Sequence, residues 1–380
     1  MARYLVNDTS RIDERARLTA EKIATLSQEI IAPKKAYIEY VSPGTLKILQ
    51  GTIITVKESI FILDNEKILT LSNLDSGSNF QDGKDYYIYA CDRGGKLDEE
   101  YKISLNSTFP AGYTANNSRK IGGFHYGVCR KISDNLNPVG TDGVEWSTGW
   151  ESNTTLDILK FSVWTTQHRP KSEPEGMVYV GNSLWVDIYQ SSGPSTKLVS
   201  VKGVNPVTGS EGFNWYLFNE ALSRVGKRML SFDEWYKGAH GSPRGENNND
   251  VAWTAGSNTA RTLTGNVVNA VSVFGLKDCV GNVNEWLSNL MVRPAETGAF
   301  GWKNAQSANY NGKTVNKGSL YIYYNDGLAA LIAGGYWNNS TNAGPSCVNA
   351  NNYPWNVNSN IGLRGASWLL VKQNYKFKDL

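Results

Sequence analysis

Residues 274–290 read FGLKDCVGNVNEWLSNL and hold the turn that decides the C-terminal fold. Gly281 suits a tight turn, and the side chain of Asn282 can hydrogen-bond to nearby backbone. Glu285 can anchor neighbouring amides, and Trp286 supplies a large ring for a buried site. This pattern predicts a tight turn followed by a buried tryptophan.

Two other segments share this texture of tight turns and aromatic residues. Residues 227–241 read KRMLSFDEWYKGAHG, and residues 333–368 read AGGYWNNSTNAGPSCVNANNYPWNVNSNIGLRGASW. In the second segment Arg364 stands close to glycines and can place its guanidinium fork on a buried carboxylate such as Glu285. We therefore expect Arg364, together with Trp286 and Trp337, to be buried.

Composition indicates a multidomain globular chain of short strands and turns. The 380 residues are 40% hydrophobic and 19% charged, and they include 37 Gly, 12 Trp and 20 Tyr. This length predicts two or three domains. The net charge of +3 without a long basic run argues against nucleic acid as a partner. No apolar run is long enough for membrane insertion, and the charged N-terminus predicts cytosolic synthesis without a signal peptide.

The pattern along the chain predicts three regions. Residues 1–35 form an N-terminal assembly or attachment segment, with helical spacing over 9–31. Residues 36–160 form a β-rich spacer, a sandwich or a prism, because short β-branched and aromatic runs alternate with turn signals. Residues 161–380 form an α+β domain, in which helical spacing recurs at 214–225 and at 231–240, the latter opened by a Ser–Glu capping box.

The three quoted segments resemble, in order and spacing, the formylglycine-generating-enzyme-like branch of the C-type lectin fold. In that branch they correspond to an RLPTEAEWE-like helix, a GNVWEW turn, and a GG-W strand that ends in GFR. The resemblance implies an α+β C-type lectin-like C-terminal domain of the formylglycine-generating-enzyme type, preceded by mainly-β N-terminal domains.

A closer resemblance begins earlier in the chain. Residues 168–193 read HRPKSEPEGMVYVGNSLWVDIYQSSG, and residues 123–127 read GFHYG. With the segments above, they resemble the family of the phage major tropism determinant and related variable proteins of diversity-generating retroelements. Members of this family are phage tail-tip receptor-binding proteins with the lectin fold.

The segment 336–360 has nine asparagines in 25 positions. Asn has a low propensity for helices and strands, so structural requirements alone seldom explain so many asparagines in one segment. In the variable-protein family this segment is the diversified one, because adenine-rich codons such as those of Asn are copied with errors. An Asn-rich, ladder-forming loop is the structural alternative. The resemblance predicts a variable ligand-binding surface formed by Tyr336, Asn338, Asn339, Ser340, Asn342, Ser346, Cys347, Asn349, Asn351, Tyr353, Trp355, Asn356, Val357 and Asn358.

Catalytic and metal-binding patterns are weak. An oxidase of the formylglycine-generating type needs two cysteines a few residues apart near the C-terminus, whereas Cys347 is alone there and Cys279 belongs to another motif. The three histidines are far apart in sequence and none has a nearby cysteine, so no nucleophile-and-base or metal-ligand spacing occurs. We predict no catalytic residue, no metal and no cofactor.

These observations predict a phage tail-tip receptor-binding protein that determines tropism. Its partner is a host cell-surface receptor, a protein or a glycan, and its place is the virion. The family resemblance predicts a homotrimer, whose several weak sites bind together through a raised effective concentration. A formylglycine-generating-type oxidase, and a structural virion or surface component without a receptor role, remain the alternatives.

Overall fold

The computed structural model describes residues 30–371, except residue 58 and residues 95–98, 246–248, 294–300, 304–306, 311–312, 317–319 and 323–326. Nearly all of the helix predicted for 9–31 lies outside the described residues. The chain forms two compact units. The N-terminal unit comprises Met1–Tyr126, Ser162–Arg169 and Leu370–Leu380, and the C-terminal unit comprises Gly127–Phe161 and Pro170–Leu369. The predicted division at 36 and 161 stays a prediction.

Strands dominate both units. In chain order they are β1 (Ile38–Ser42), β2 (Thr45–Ile48), β3 (Ile53–Val56), β4 (Ser59–Ile62), β5 (Lys67–Leu69), β6 (Lys84–Asp92), β7 (Glu99–Ser104), β8 (Ser118–Arg130), β9 (Thr154–Ile158), β10 (Trp164–Thr165), β11 (Met177–Gly181), β12 (Leu184–Asp187), β13 (Arg228–Met229), β14 (Asn284–Arg293), β15 (Gly301–Lys303), β16 (Ser307–Tyr310), β17 (Lys313–Asn316), β18 (Leu320–Ile322), β19 (Gly327–Gly334), β20 (Gly344–Asn352), β21 (Ile361–Gly362) and β22 (Gly365–Trp368). Within the described residues, the α-helices are α1 (Trp215–Arg224) and α2 (Phe232–Gly238). No helix in the described part of the chain is long and apolar enough to cross a membrane.

The N-terminal unit is built from antiparallel strands, as its β-branched and aromatic runs predict. Strands β1, β2 and β5 form one sheet, β3 and β4 form a hairpin, and β7, β6, β8 and β10 lie side by side in another sheet. The last of these sheets carries a row of buried aromatic residues on β6, among them Tyr86 and Tyr89. The sequence prediction of successive short strands over 37–91 is therefore confirmed.

Both predicted helices of the C-terminal unit are present. Helix α1 begins after Asn214, whose side chain accepts a hydrogen bond from the backbone N–H of Leu217 at 3.0 Å. Helix α2 begins after Ser231 with the predicted capping box: the Glu234 N–H donates to the Ser231 hydroxyl at 3.3 Å, and the Ser231 N–H donates to the Glu234 carboxylate at 2.9 Å. These bonds satisfy N–H groups that a helix start otherwise leaves unpaired.

Two sheets organise the C-terminal unit. One has the strand order β11-β12-β22-β13, and the other has the order β15-β18-β20-β19-β14-β21. Strand β20 is an inner strand, because it pairs in parallel with β18 and antiparallel with β19. One core cluster surrounds Trp235 of α2, and a second surrounds Trp286 of β14.

The turn before β14 has the conformation that its sequence predicts. Gly281 has φ +82°, and a Cβ atom there would lie 2.5 Å from the carbonyl oxygen of Trp253, so only glycine fits. Asn282 is fully buried: its amide nitrogen donates to Gln190 at 2.8 Å, and its amide oxygen accepts from the N–H of Thr262 at 2.8 Å. The turn therefore places Glu285 and Trp286 in the core.

Candidate ligand-binding surface and cavity

A buried carboxylate joins the sequence motifs beneath the predicted surface. The Arg364 guanidinium donates to both oxygens of Glu285 at 2.7 Å, which confirms the predicted fork. The indole N–H of Trp235 donates to the same carboxylate at 3.0 Å, and the amide of Gln190 donates to it at 3.3 Å. Because both charges are fully buried and paired, this cluster fixes the relative positions of β14, α2 and β22.

Backbone hydrogen bonds attach the segment 336–360 to this framework. The N–H of Trp337 donates to the carbonyl of Asn282 at 3.1 Å, and the N–H of Trp215 at the start of α1 donates to the carbonyl of Pro354 at 3.1 Å. At the far end, the N–H of Asn284 donates to the carbonyl of Asn360 at 2.9 Å. The path of the segment is therefore held by main-chain contacts, which do not depend on its side chains.

The structure places most of the predicted surface residues where solvent reaches them. Exposed residues are Asn338, Asn342, Trp355 and Val357, and half-buried residues are Tyr336, Asn339, Ser340, Asn349, Asn351, Tyr353, Asn356 and Asn358.

Two of the predicted surface residues, Ser346 and Cys347, are buried instead. They lie on β20, which has neighbouring strands on both sides, and register irregularities in its pairing with β19 break the simple alternation of faces. Exposure of these two side chains was therefore a wrong expectation, whereas a part for them in ligand binding stays a prediction, since Cys347 lines the cavity described below.

The prediction of a buried Trp337 was also wrong, although Trp286 and Arg364 are buried as predicted. Trp337 is half-buried because β19 ends at Gly334, so the residue lies in the following turn and not in the sheet. Its ring packs edge-on against Tyr336 with ring centroids 5.2 Å apart. The framework holds the backbone of Trp337 and leaves its ring at the surface.

Tyr353 and Trp355 form an aromatic pair on this surface. Their rings stack in parallel, with centroids 4.9 Å apart and an interplanar angle of 7°. Trp355 is 54% exposed, and Val357 beside it in sequence is 52% exposed. Asn356 shapes the turn between them, because its side-chain oxygen accepts the N–H of Tyr353 at 2.7 Å. The result is an apolar patch on a fixed turn.

A cavity of about 420 Å³ lies against the segment. Its walls are formed by β14, β19, β20 and the turns beside them. The lining residues are Asn284, Ile332, Ala333, Gly335, Tyr336, Asn339, Cys347, Val348, Asn349, Asn351, Asn352, Asn358 and Asn360.

Sequence reasoning missed part of this cavity. Asn352 and Asn360 belong to the Asn-rich segment but were not among the predicted site residues, and Asn284 lies in the turn motif some fifty residues earlier. One feature of the sequence could have identified Asn284: it is an uncharged polar residue in a motif whose other residues lie in the core.

The described residues offer little for redox or metal chemistry. Within them, no three His, Cys, Asp or Glu side chains lie close enough together to hold a metal ion. Cys279 and Cys347 are both buried, and burial raises the pKa of the Cys279 thiol to about 12. A thiol with such a pKa is not the thiolate that oxidation chemistry uses.

Comparison with solved structures identifies the fold as C-type lectin-like with mostly-β content. The U1 variant of the major tropism determinant superposes with a TM-score of 0.68 at 24% identity, covering 92% of this chain and 88% of that one. The M1 variant gives a TM-score of 0.67 at 23% identity, with the same coverage.

Sequence comparisons agree with the structural ones. The family model described as "Mtd second domain" matches residues 36–151. The tail fiber receptor-binding protein of Bordetella phage BPP-1 is 27% identical over 338 residues, which cover 83% of this chain and 77% of that protein. The predicted resemblance to the major tropism determinant and its relatives among variable proteins is therefore confirmed.

Proposed function

We propose that this chain is the tropism-determining receptor-binding protein of a phage tail, and that segment 336–360 contacts the host receptor. The observation that carries the proposal is the likeness, over most of both chains, to a tail fiber receptor-binding protein. The likeness in fold to the major tropism determinant supports it as well. A tail fiber relative also supports a location in the virion.

The geometry of the segment fits such a role. Large aromatic rings give contact area at low entropic cost, and amide and hydroxyl side chains add adaptable hydrogen bonds. Tyr353 and Trp355 are the proposed energetic anchors, because their stacked rings already hold each other in place. Around them, the exposed and half-buried predicted residues form the changeable part of the surface, whereas Ser346 is buried and Cys347 lines the adjoining cavity.

Two finer features belong to this proposal. The order of the helix, turn and strand motifs supports assignment to the formylglycine-generating-enzyme branch of the lectin fold. Multivalent attachment supports a homotrimer, because several modest sites on one particle gain avidity. Light scattering on the full chain should give three times the 41.9 kDa of one chain, and a mass of 41.9 kDa independent of concentration would contradict the trimer.

The test of function is competition for adsorption. The purified full chain should block adsorption of the parent phage to its host, and the double variant Tyr353→Ala, Trp355→Ala should block at least tenfold less well, because buried aromatic anchors carry much of an interface's binding energy. Tyr236→Ala is the matched control, since Tyr236 is an exposed aromatic residue on α2 whose ring stacks on Phe232.

The two possible failures of this test differ in meaning. If the unmodified chain does not block adsorption, the receptor-binding function is wrong. If the double variant and the parent chain block equally, the function stands and the assignment of the anchors is wrong.

A further inference from the structure

The cavity beside the segment is lined by carboxamides. Of its lining residues, seven are asparagines and none is Asp, Glu, Lys, Arg or His. The remaining side chains are small or aliphatic, apart from Tyr336 and the thiol of Cys347. A cavity of this kind offers hydrogen bonds in many directions without a charge to attract or to repel a ligand.

Asn284 places a polar side chain in the wall of the cavity. The residue is only 5% exposed, and its backbone is paired in β14. Its side-chain amide lines the cavity, together with the amides of Asn358 and Asn360. A carboxamide has both a donor and an acceptor, so Asn284 can offer both to a ligand in the cavity.

Several neighbouring amides are held in fixed orientations by the protein. The oxygen of Asn349 accepts the N–H of Asn351 at 2.7 Å, and the oxygen of Asn339 accepts the N–H of Tyr336 at 2.9 Å. The amide of Asn358 donates to the oxygen of Asn352 at 2.7 Å. The lining is therefore an ordered set of donors and acceptors, which a ligand can meet at little entropic cost.

The chemistry of this lining selects among ligand classes. A carboxamide presents an acceptor and a donor side by side, and adjacent sugar hydroxyls each donate and accept, so the two groups match in pairs. A charged ligand would find no counter-charge in the lining. An extended peptide would need a free strand edge, but β20 is paired on both sides. The volume of about 420 Å³ lies in the range of small-molecule sites.

We propose that this cavity binds one neutral sugar unit, with Asn284 and Asn360 as contacts that lie outside the predicted surface residues. The inference rests on the proposed function in one respect: the sugar belongs to a glycan of the host receptor. The aromatic patch at Tyr353 and Trp355 then contacts what surrounds that sugar.

Binding of free sugars tests the cavity without any host. The full chain is titrated with methyl glycosides of glucose, galactose, mannose and N-acetylglucosamine, followed by ligand-observed NMR, and at least one should bind with a Kd of about 1 mM or tighter. Asn284→Ala should weaken that binding about tenfold, because it removes a donor and an acceptor from the lining. The melting temperature is measured in parallel to show that the variant is folded. Asn360→Ala gives a second variant, and the exposed Asn219→Ala is the matched control.

Each outcome decides the proposal. Binding that falls in both cavity variants and not in Asn219→Ala supports it. Failure of all four glycosides to bind at about 10 mM overturns it, as does an equal response of the control or tighter binding of the capped peptide acetyl-Ala-Ala-amide. If the variants lose sugar binding but still block adsorption of the phage, the sugar-binding proposal is wrong and the receptor-binding function stands. The two proposals can therefore fail separately.

Discussion

The framework under the lectin-like surface and the segment above it use opposite chemistry. The framework is charged and buried, with Arg364 and Glu285 paired in the core, whereas residues 336–360 contain no Asp, Glu, Lys, Arg or His. The segment is held by main-chain bonds to residues of the framework. Charged side chains of the framework therefore hold the core together, while the uncharged side chains of the segment shape local turns and face the solvent.

The largest expected effect is on the buried carboxylate. Glu285→Ala should lower the free energy of unfolding by about 4–5 kcal/mol, because it leaves the Arg364 charge buried without its partner. The measurement is urea unfolding of the full chain. Glu220→Ala, which removes an exposed partner of Arg224 on α1, should cost no more than about 0.5 kcal/mol. Equal losses in the two variants would remove the distinction between framework and surface.

A pair of tryptophans gives the next effect. Trp286→Ala should cost about 3–4 kcal/mol because it empties a core site. Trp355→Ala should change stability by no more than about 0.5 kcal/mol, because more than half of that side chain is exposed. Both are read as melting midpoints by circular dichroism. A large drop for Trp355→Ala would mean that the segment takes part in the core.

Cys347→Ser sharpens the boundary between the two regions. Because Cys347 is buried in β20, replacing its thiol with a more polar hydroxyl should cost about 1 kcal/mol. If the variant is as stable as the parent, Cys347 does not contribute to the core and belongs with the exposed residues of the segment. Loss of a thiol-dependent oxidation activity in this variant would instead favour the oxidase alternative, since a hydroxyl cannot replace a catalytic thiolate.

The smallest expected effect is on pH dependence. Although burial alone would raise it, hydrogen bonds from Arg228 and Ser231 hold the pKa of Glu234 below its ordinary value. A lowered carboxyl pKa contributes stability that is present above the unfolded value near 4.3 and is lost as pH falls further. Denaturant unfolding between pH 7 and 3 should therefore show a flatter acid limb in Glu234→Gln than in the parent.

The matching control for pH is the segment itself. Because residues 336–360 contain no carboxylate, histidine or amine side chain, receptor binding should stay constant over the pH range in which the chain remains folded. A steep change in binding without unfolding would show that ionisable residues from outside the segment share the contact.

Local features of the fold were predictable from sequence because they depend on neighbours in the chain. The capping box at Ser231 and Glu234 and the left-handed turn at Gly281 are of this kind. The Arg364–Glu285 fork was predictable for another reason: few residues can neutralise a buried carboxylate. The strands of 37–91 followed from their β-branched residues and turn signals.

The burial of individual surface residues was not predictable in this way. Ser346 and Cys347 are buried because β18 and β19 lie on both sides of β20, and these pairings join residues separated in sequence. Asn284 became part of the cavity for the same reason, since β21 brings Asn360 beside it. Composition identified the Asn-rich segment but not which of its amides face a common space.

The buried positions in and beside β20 differ from its exposed asparagines in the bases of their codons. Four of the six buried positions along the segment are held by Ala343, Gly344, Ala350 and Pro354, whose codons contain no adenine in their first two bases. The solvent-facing asparagines have codons with adenine at both. Within the proposed function, copying errors directed at adenine therefore fall on recognition residues and spare these four structural ones. The genetic code thus separates these four structural positions from the asparagines that can vary, along β20 and its flanking turns.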